Sequence, residues 1–177
     1  MLIVTGLFIG VYAIPIYPHA KNLRNYGILK VFLVALVWTL ITFVLPVAQY
    51  SIEPAWDVYL LSVQRFLLIL VLMIPFEIRD LEYDPPELRT IPQRIGITAT
   101  KRIGFFLVGV YFLMIFLKDE LQPMEGLANG ILLFFLVFTL AMARKGQSRY
   151  YASFWVEAVP IFWGVITVML DIYWGYF

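Results

Sequence analysis

Six predominantly apolar stretches set the terms for this chain: 1–17, 29–48, 57–76, 102–117, 127–143 and 153–176. The hydrocarbon core of a bilayer takes about 20 helical residues, with a range of roughly 17–25, and these runs fall at or near that length. They are too long and too uniformly apolar to alternate as barrel strands, and only helices or closed barrels satisfy their backbone inside lipid. The reading is therefore all-α: a polytopic transmembrane bundle of six helices forming a single membrane domain over residues 1–177. Composition agrees, since 62% of the residues are hydrophobic where soluble domains hold about 45–50%.

The connections divide by charge. Lys21 and Arg24 precede the second run and Lys30 stands at its start, Arg79, Arg89, Arg94, Lys101 and Arg102 follow the third, and Arg144, Lys145 and Arg149 follow the fifth. These eleven of the thirteen basic residues fall on one side of the membrane, whereas Glu53, Asp57, Asp119, Glu120 and Glu125 share the other with Lys118. The positive-inside rule makes the basic side cytoplasmic and puts the N-terminus outside, in a multi-pass protein of the cell (inner or cytoplasmic) membrane. A formal charge of +1 gives no footing for nucleic acid. With no cysteine and one histidine, His19, disulfides and thiolate or His-rich metal sites are excluded. Met1-Leu2-Ile3-Val4 offers no basic region ahead of the first apolar run, which is not how a signal peptide starts; the abrupt start reads as a truncated or half-length form.

The third connection is the least lipid-like part of the chain. From Pro75 to Arg102 it carries five carboxylates, and among them Glu77, Asp80 and Asp84 stand at i, i+3 and i+7. If the helix runs on until Pro85-Pro86 stops it at about Asp84, all three share one stripe. Like charges so spaced repel by roughly 0.2–0.5 kcal/mol per pair, and the helix C-terminus disfavours anions. A bound cation resolves both conflicts, and grouped carboxylates suit a hard ion such as Mg²⁺. Solvated acids neutralised by Arg79, Arg89 and Arg94 are the competing explanation.

Deep in the third helix stand Gln64 and Arg65. An unpaired arginine at that depth costs at least about 2.5–3.5 kcal/mol on insertion scales, so Arg65 should face the interior and find an anion. The sixth helix offers Glu157 and Asp171 on one stripe, and Asp171 matches Arg65 better in depth. The expected Arg65–Asp171 pair is read as structural.

The wording of the acidic loop, RDLEYDPPELRTIPQRIG, resembles the second acidic motif of the UbiA superfamily of intramembrane prenyltransferases. That motif reads RD-x-x-x-D, a short loop, then Lys/Arg-Thr-Leu-Pro-x-x-x-Gly. Here Arg79-Asp80 and Asp84 supply the acidic half, Arg89-Thr90-Ile91-Pro92 and Gly96 the rest, and Glu77 stands where many members carry a further aspartate. The loop after Asp84 is one residue short and has Pro85-Pro86 where a glycine is usual. The resemblance implies a UbiA-like partial bundle in which the six helices correspond to helices four to nine of a nine-helix fold. It further implies Mg²⁺ on Glu77, Asp80 and Asp84, catalytic roles for Asp80 and Asp84, and diphosphate contacts from Lys21, Arg24, Arg79 and Arg89. The implied reaction moves an isoprenyl group from a prenyl diphosphate to a lipophilic, often aromatic, acceptor.

The family's first acidic motif has no counterpart: neither 18–28 nor 144–151 contains a carboxylate. Three readings follow, namely a missing N-terminal half, a second polypeptide that completes the site, or a member that has lost catalysis. The alternative function is a non-catalytic polytopic membrane protein on the same scaffold, acting in interaction or lipid binding. A CDP-alcohol phosphotransferase is excluded for want of the DG-x-x-AR segment ahead of the aspartates.

Overall fold

A computed structural model describes residues 27–50, 55–119, 123–148 and 150–174. The first expected helix and the candidates Lys21 and Arg24 lie outside the described residues. The others fold as α1 (Gly27–Gln49), α2 (Trp56–Asp80), α3 (Ile91–Leu117), α4 (Pro123–Met142) and α5 (Tyr151–Tyr173), with no strand among the described residues. All five carry a segment long and apolar enough to cross a membrane, with mean hydropathy between 1.7 and 2.6. The chain is a multi-pass membrane protein.

Contacts between helix ends fix the up-and-down order. Trp56 at the start of α2 donates from Nε1 to the Leu117 carbonyl at the end of α3 (2.9 Å), and the Asp119 N–H reaches Asp57 Oδ1 (3.0 Å). At the other end Lys30 of α1 meets Glu77 of α2, Arg79 of α2 meets Ser153 of α5, and Lys101 of α3 donates to the Ala141 carbonyl of α4. Among the described residues, Lys30, Arg79 and Lys101 with their partners thus lie at one end of the bundle.

Helix α2 is the axis. Leu68, Val71, Leu72, Ile74 and Ile78 from its one side interlock with Val108 and Tyr111 of α3, Leu132, Leu136 and Leu140 of α4, and Val156 and Val159 of α5. The i, i+4 spacing of the α4 leucines makes one ridge that faces α2. On another side of α2, Leu70 packs with Val31 and Ala35 of α1. Away from these seams the surface is apolar: Phe106 and Phe134 stand exposed, as side chains facing hydrocarbon do.

Two helices carry a widened turn just ahead of a proline. In α1, Leu40–Val44 is a π-helical turn closed by Leu45 N–H to the Leu40 carbonyl, before Pro46. In α5 the turn is Tyr151–Val156, before Pro160. Proline lacks the N–H for the carbonyl four residues back and its ring crowds that group; a wide turn relieves the crowding inside lipid.

The acidic connection departs from expectation. The third expected helix (57–76) extends to Asp80, yet stops there instead of at Asp84. The Asp80 carbonyl accepts from both Tyr83 N–H and Asp84 N–H at 2.8 Å, closing a turn. Asp84, preceding Pro85, is pushed out of the helical region by the proline ring. The fourth expected helix (102–117) begins eleven residues earlier, at Ile91. Thr90 N–H donates to Gln93 Oε1 (2.9 Å), which caps the start, and Pro92 in the first turn costs no hydrogen bond. Gly96 then kinks the helix at φ 79°, ψ 163°, a conformation open in practice to glycine alone.

Candidate functional site: an amphipathic cavity between three helices

Helices α1 and α5 both lean on α2 and leave a cleft of about 710 Å³ between them. Its long walls are apolar: Val34 and Trp38 from α1, Leu68, Ile69, Leu72 and Met73 from α2, Val156, Pro160 and Ile161 from α5. Charge collects at the basic end, where Lys30, Glu77, Asp80 and Glu157 line the mouth. Arg65 is the exception, set roughly 18 Å deeper than Glu77 by the helical rise.

Glu77 is 2% exposed and owes its position to α2, which buries its neighbours Ile74 and Ile78. One oxygen, Oε1, accepts from Lys30 Nζ at 3.4 Å; the other, Oε2, is buried with no hydrogen-bond partner. Lys30 can reach it because α1 starts level with the end of α2. A buried carboxylate without a cation is strongly disfavoured, so this pair anchors α1 to α2.

Asp80 is held by its neighbour. Arg79 donates from Nε to Oδ1 (2.6 Å) and from Nη2 to Oδ2 (3.0 Å), a fork-on-carboxylate contact. The same guanidinium donates to Ser153 Oγ (3.3 Å) and lies over the Phe76 ring (5.3 Å), which ties the end of α2 to the start of α5.

Asp84 stands in the turn beyond. The segment Pro86–Leu88 forms a single 3₁₀ turn and Arg89 takes a left-handed backbone (φ 48°). Gln93 straps this loop, donating from Nε2 to the carbonyls of Asp84 (3.1 Å) and Pro85 (3.2 Å). Asp84 Oδ2 is buried and unpartnered. Burial pushes the Asp84 carboxyl above its ordinary range; Lys30 pulls it back and Asp80 pushes it further up. Gly27 lets the start of α1 pass this loop: a Cβ there would lie 2.7 Å from the Leu88 carbonyl oxygen and from Thr90 Cα.

The three expected carboxylates are thus neighbours close enough to act on one another's charge. They do not form a ready ligand set, for no group of three such side chains able to hold a metal is found among the described residues. Glu77 is turned to Lys30 and Asp80 to Arg79, while Asp84 lies off the cavity wall. Arg89 is exposed and also stands apart from the wall; its carbonyl accepts from Arg94 Nε at 3.0 Å.

The Arg65–Asp171 ion pair does not form. Arg65 places its guanidinium over the Trp163 ring at 5.0 Å, and Asp171 is exposed further along α5. Asp171 lies about 12 Å beyond Trp163 by helical rise, too near the end of α5 to meet a side chain held level with Trp163. Beside this cation, Gln64 donates to the Tyr111 carbonyl (3.2 Å) and Tyr111 OH to Asn129 Oδ1 (3.0 Å), which links α2, α3 and α4.

Sequence reasoning passed over Lys30 as a site residue, Gln93 as the loop strap and Trp163 as the platform for Arg65. Lys30 carried a signal, being the cation nearest the start of an otherwise apolar helix. The other two are tertiary contacts that no spacing announces. No protein-family model, curated protein or solved structure matches the chain.

Proposed function

We propose that the protein is a UbiA-like prenyltransferase, or the C-terminal part of one, that takes a prenyl diphosphate into the cleft between α1, α2 and α5. The observation carrying this reading is the cleft's polarity: an apolar trough of about 710 Å³ with every charged group but Arg65 at one mouth, the shape of a lipid tail below a polar head. The basic end faces the cytoplasm, following the positive-inside rule.

The donor set fits Mg²⁺ in part. Two buried oxygens without partners, Glu77 Oε2 and Asp84 Oδ2, belong to two of the three expected ligands. Oxygen donors of this kind suit a hard cation. Glu77 and Asp84 would hold the ion, and Asp80 would join on release from Arg79. Bound there, Mg²⁺ would neutralise charge on the diphosphate. Lys30, on the cavity wall, and Arg79, behind Asp80, supply positive charge for the same group. The trough excludes water from the allylic carbon and presents it to a lipophilic acceptor. A second acidic motif, from an N-terminal half or another chain, would complete the ligand set.

A second reading has its own support. Lys30 and Arg79 already neutralise Glu77 and Asp80, which suits a non-catalytic protein that binds lipid without metal. Binding of geranyl diphosphate to the full chain in nanodiscs, with and without Mg²⁺, separates the two. The enzyme reading expects Mg²⁺-dependent binding that Asp80→Asn and Asp84→Asn weaken at least tenfold. Binding that ignores both the metal and the variants removes the enzyme site.

A further inference from the structure

Every charged group on the cavity wall except two has a partner. Lys30 pairs with Glu77 and Asp80 with Arg79. Glu157 sits exposed at the mouth, where its charge acts on Arg79. Arg65 alone lies deep in the trough, and among the described residues no carboxylate pairs with it. Its contact is the Trp163 ring. An aromatic face stabilises a cation but offers no lone pair to the five N–H groups of a guanidinium. Arg65 therefore reaches the cavity with its charge steadied and its hydrogen-bond donors unspent.

Planar, forked donors of this kind match a carboxylate, which accepts two parallel N–H bonds. The surroundings narrow the ligand further. Between Arg65 and the mouth the wall is Leu68, Ile69, Leu72, Met73 and Phe76, with Val156 and Pro160 opposite. From Arg65 to Glu77 the trough runs roughly 18 Å. It offers the body of the ligand no charge over that distance.

We infer that Arg65 is the recognition point for a lipophilic carboxylate, its acid group on the guanidinium and its apolar body lying along α2 toward the charged mouth. The ligand enters sideways from the bilayer through the seam between α1 and α5. This rests on the proposed function only in taking the trough to be a lipid site. It gives the trough an alternative ligand, whose head is at the opposite end from the diphosphate and whose body takes the place of the isoprenoid tail.

The test is binding of radiolabelled hexadecanoate and hexadecanol to the full chain in phosphatidylcholine nanodiscs, with protein-free discs subtracted. The two probes share a tail and differ in the carboxylate. The wild type is expected to bind the acid at least tenfold more tightly than the alcohol, the worth of one charge-assisted hydrogen-bonded pair. Arg65→Gln should abolish that preference and leave the alcohol unchanged; Arg65→Lys, which keeps charge but loses the fork, should retain part of it. Equal binding of acid and alcohol by the wild type overturns the inference, as does full acid preference in Arg65→Gln. If Arg65→Gln fails to fold, the wild-type preference and the Arg65→Lys intermediate decide. Geranyl diphosphate binding run in parallel keeps the claims apart. Arg65-dependent acid binding without diphosphate binding sinks the transferase reading alone, and the reverse result sinks only this one.

Discussion

Removing the positive half of the Lys30–Glu77 pair tests how α1 is held. Glu77 is 2% exposed and its partner 25%, at 3.4 Å. At an effective dielectric of 20 their attraction is about 5 kcal/mol before desolvation is counted. Taking one member from a buried pair costs about 3–5 kcal/mol, because the survivor is left charged and unpaired. Lys30 keeps some access to the cavity, and protonation of the stranded carboxyl caps the loss, so Lys30→Met should cost about 3 kcal/mol, at the low end. In the double variant Lys30→Met/Glu77→Gln no charge is stranded, and stability should return to within about 1 kcal/mol of the wild type. The assay is reversible unfolding in mixed micelles by increasing SDS, followed by circular dichroism, at pH 7 with EDTA. A loss under about 1 kcal/mol for Lys30→Met, or a double variant as unstable as the sum of its singles, would refute the reasoning.

Four further outcomes follow from the geometry. Gly96→Ala should cost about 1–3 kcal/mol in the same assay, since φ 79° with ψ 163° is strained for any side chain. Gly27→Ala should lose about 1–3 kcal/mol by forcing α1 off the loop at Leu88 and Thr90, both met through backbone atoms. Tyr111→Phe should cost only about 0.6 kcal/mol, the mean worth of an interhelical hydrogen bond in a membrane, and a loss above about 2 kcal/mol would mean that Asn129 supports more than this contact. Asp84 sets a pH dependence. Its carboxyl titrates above its ordinary value of 3.8, so the folded chain binds more protons than the unfolded one between those two values. Metal-free stability should fall as pH rises through that window and then level off, and Asp84→Asn should flatten this slope. A wild-type slope of opposite sign, or one unaltered in Asp84→Asn, contradicts the assignment.

The helices were legible because lipid imposes a length and a composition that soluble folds do not. The apolar runs at 29–48, 57–76 and 102–117 each lie within a helix that the structure describes, and those at 127–143 and 153–176 overlap one, the first passing its end at Met142 by a residue. Their ends were less so. The charged residues of α3 from Arg94 to Arg102 looked like loop when scored by hydropathy, yet Gln93 caps a helix there from Ile91. The carboxylate stripe assumed an unbroken helix to Asp84, and the preproline constraint on that residue, visible in the sequence, argues for the turn that forms. Arg65 faces the cavity, as a cation at that depth must, but Asp171 stands too near the end of α5 to pair with it, and an aromatic ring as the alternative partner is not announced by charge. The partner sits where α5, past its π-helical turn, presents Trp163. Pairings such as Lys30–Glu77 depend on which helices touch, which local periodicity does not encode.

The central claim is that the trough between α1, α2 and α5 receives an isoprenoid tail with its head at the charged mouth. Photo-crosslinking the full chain in nanodiscs with a prenyl diphosphate bearing a diazirine at the far end of its tail tests it most directly. Adducts should map by mass spectrometry to the wall formed by Trp38, Leu68, Ile69 and Met73, and excess unlabelled geranyl diphosphate should remove them. Adducts spread instead over the lipid-facing side chains Phe106 and Phe134, or insensitive to competitor, would contradict the account.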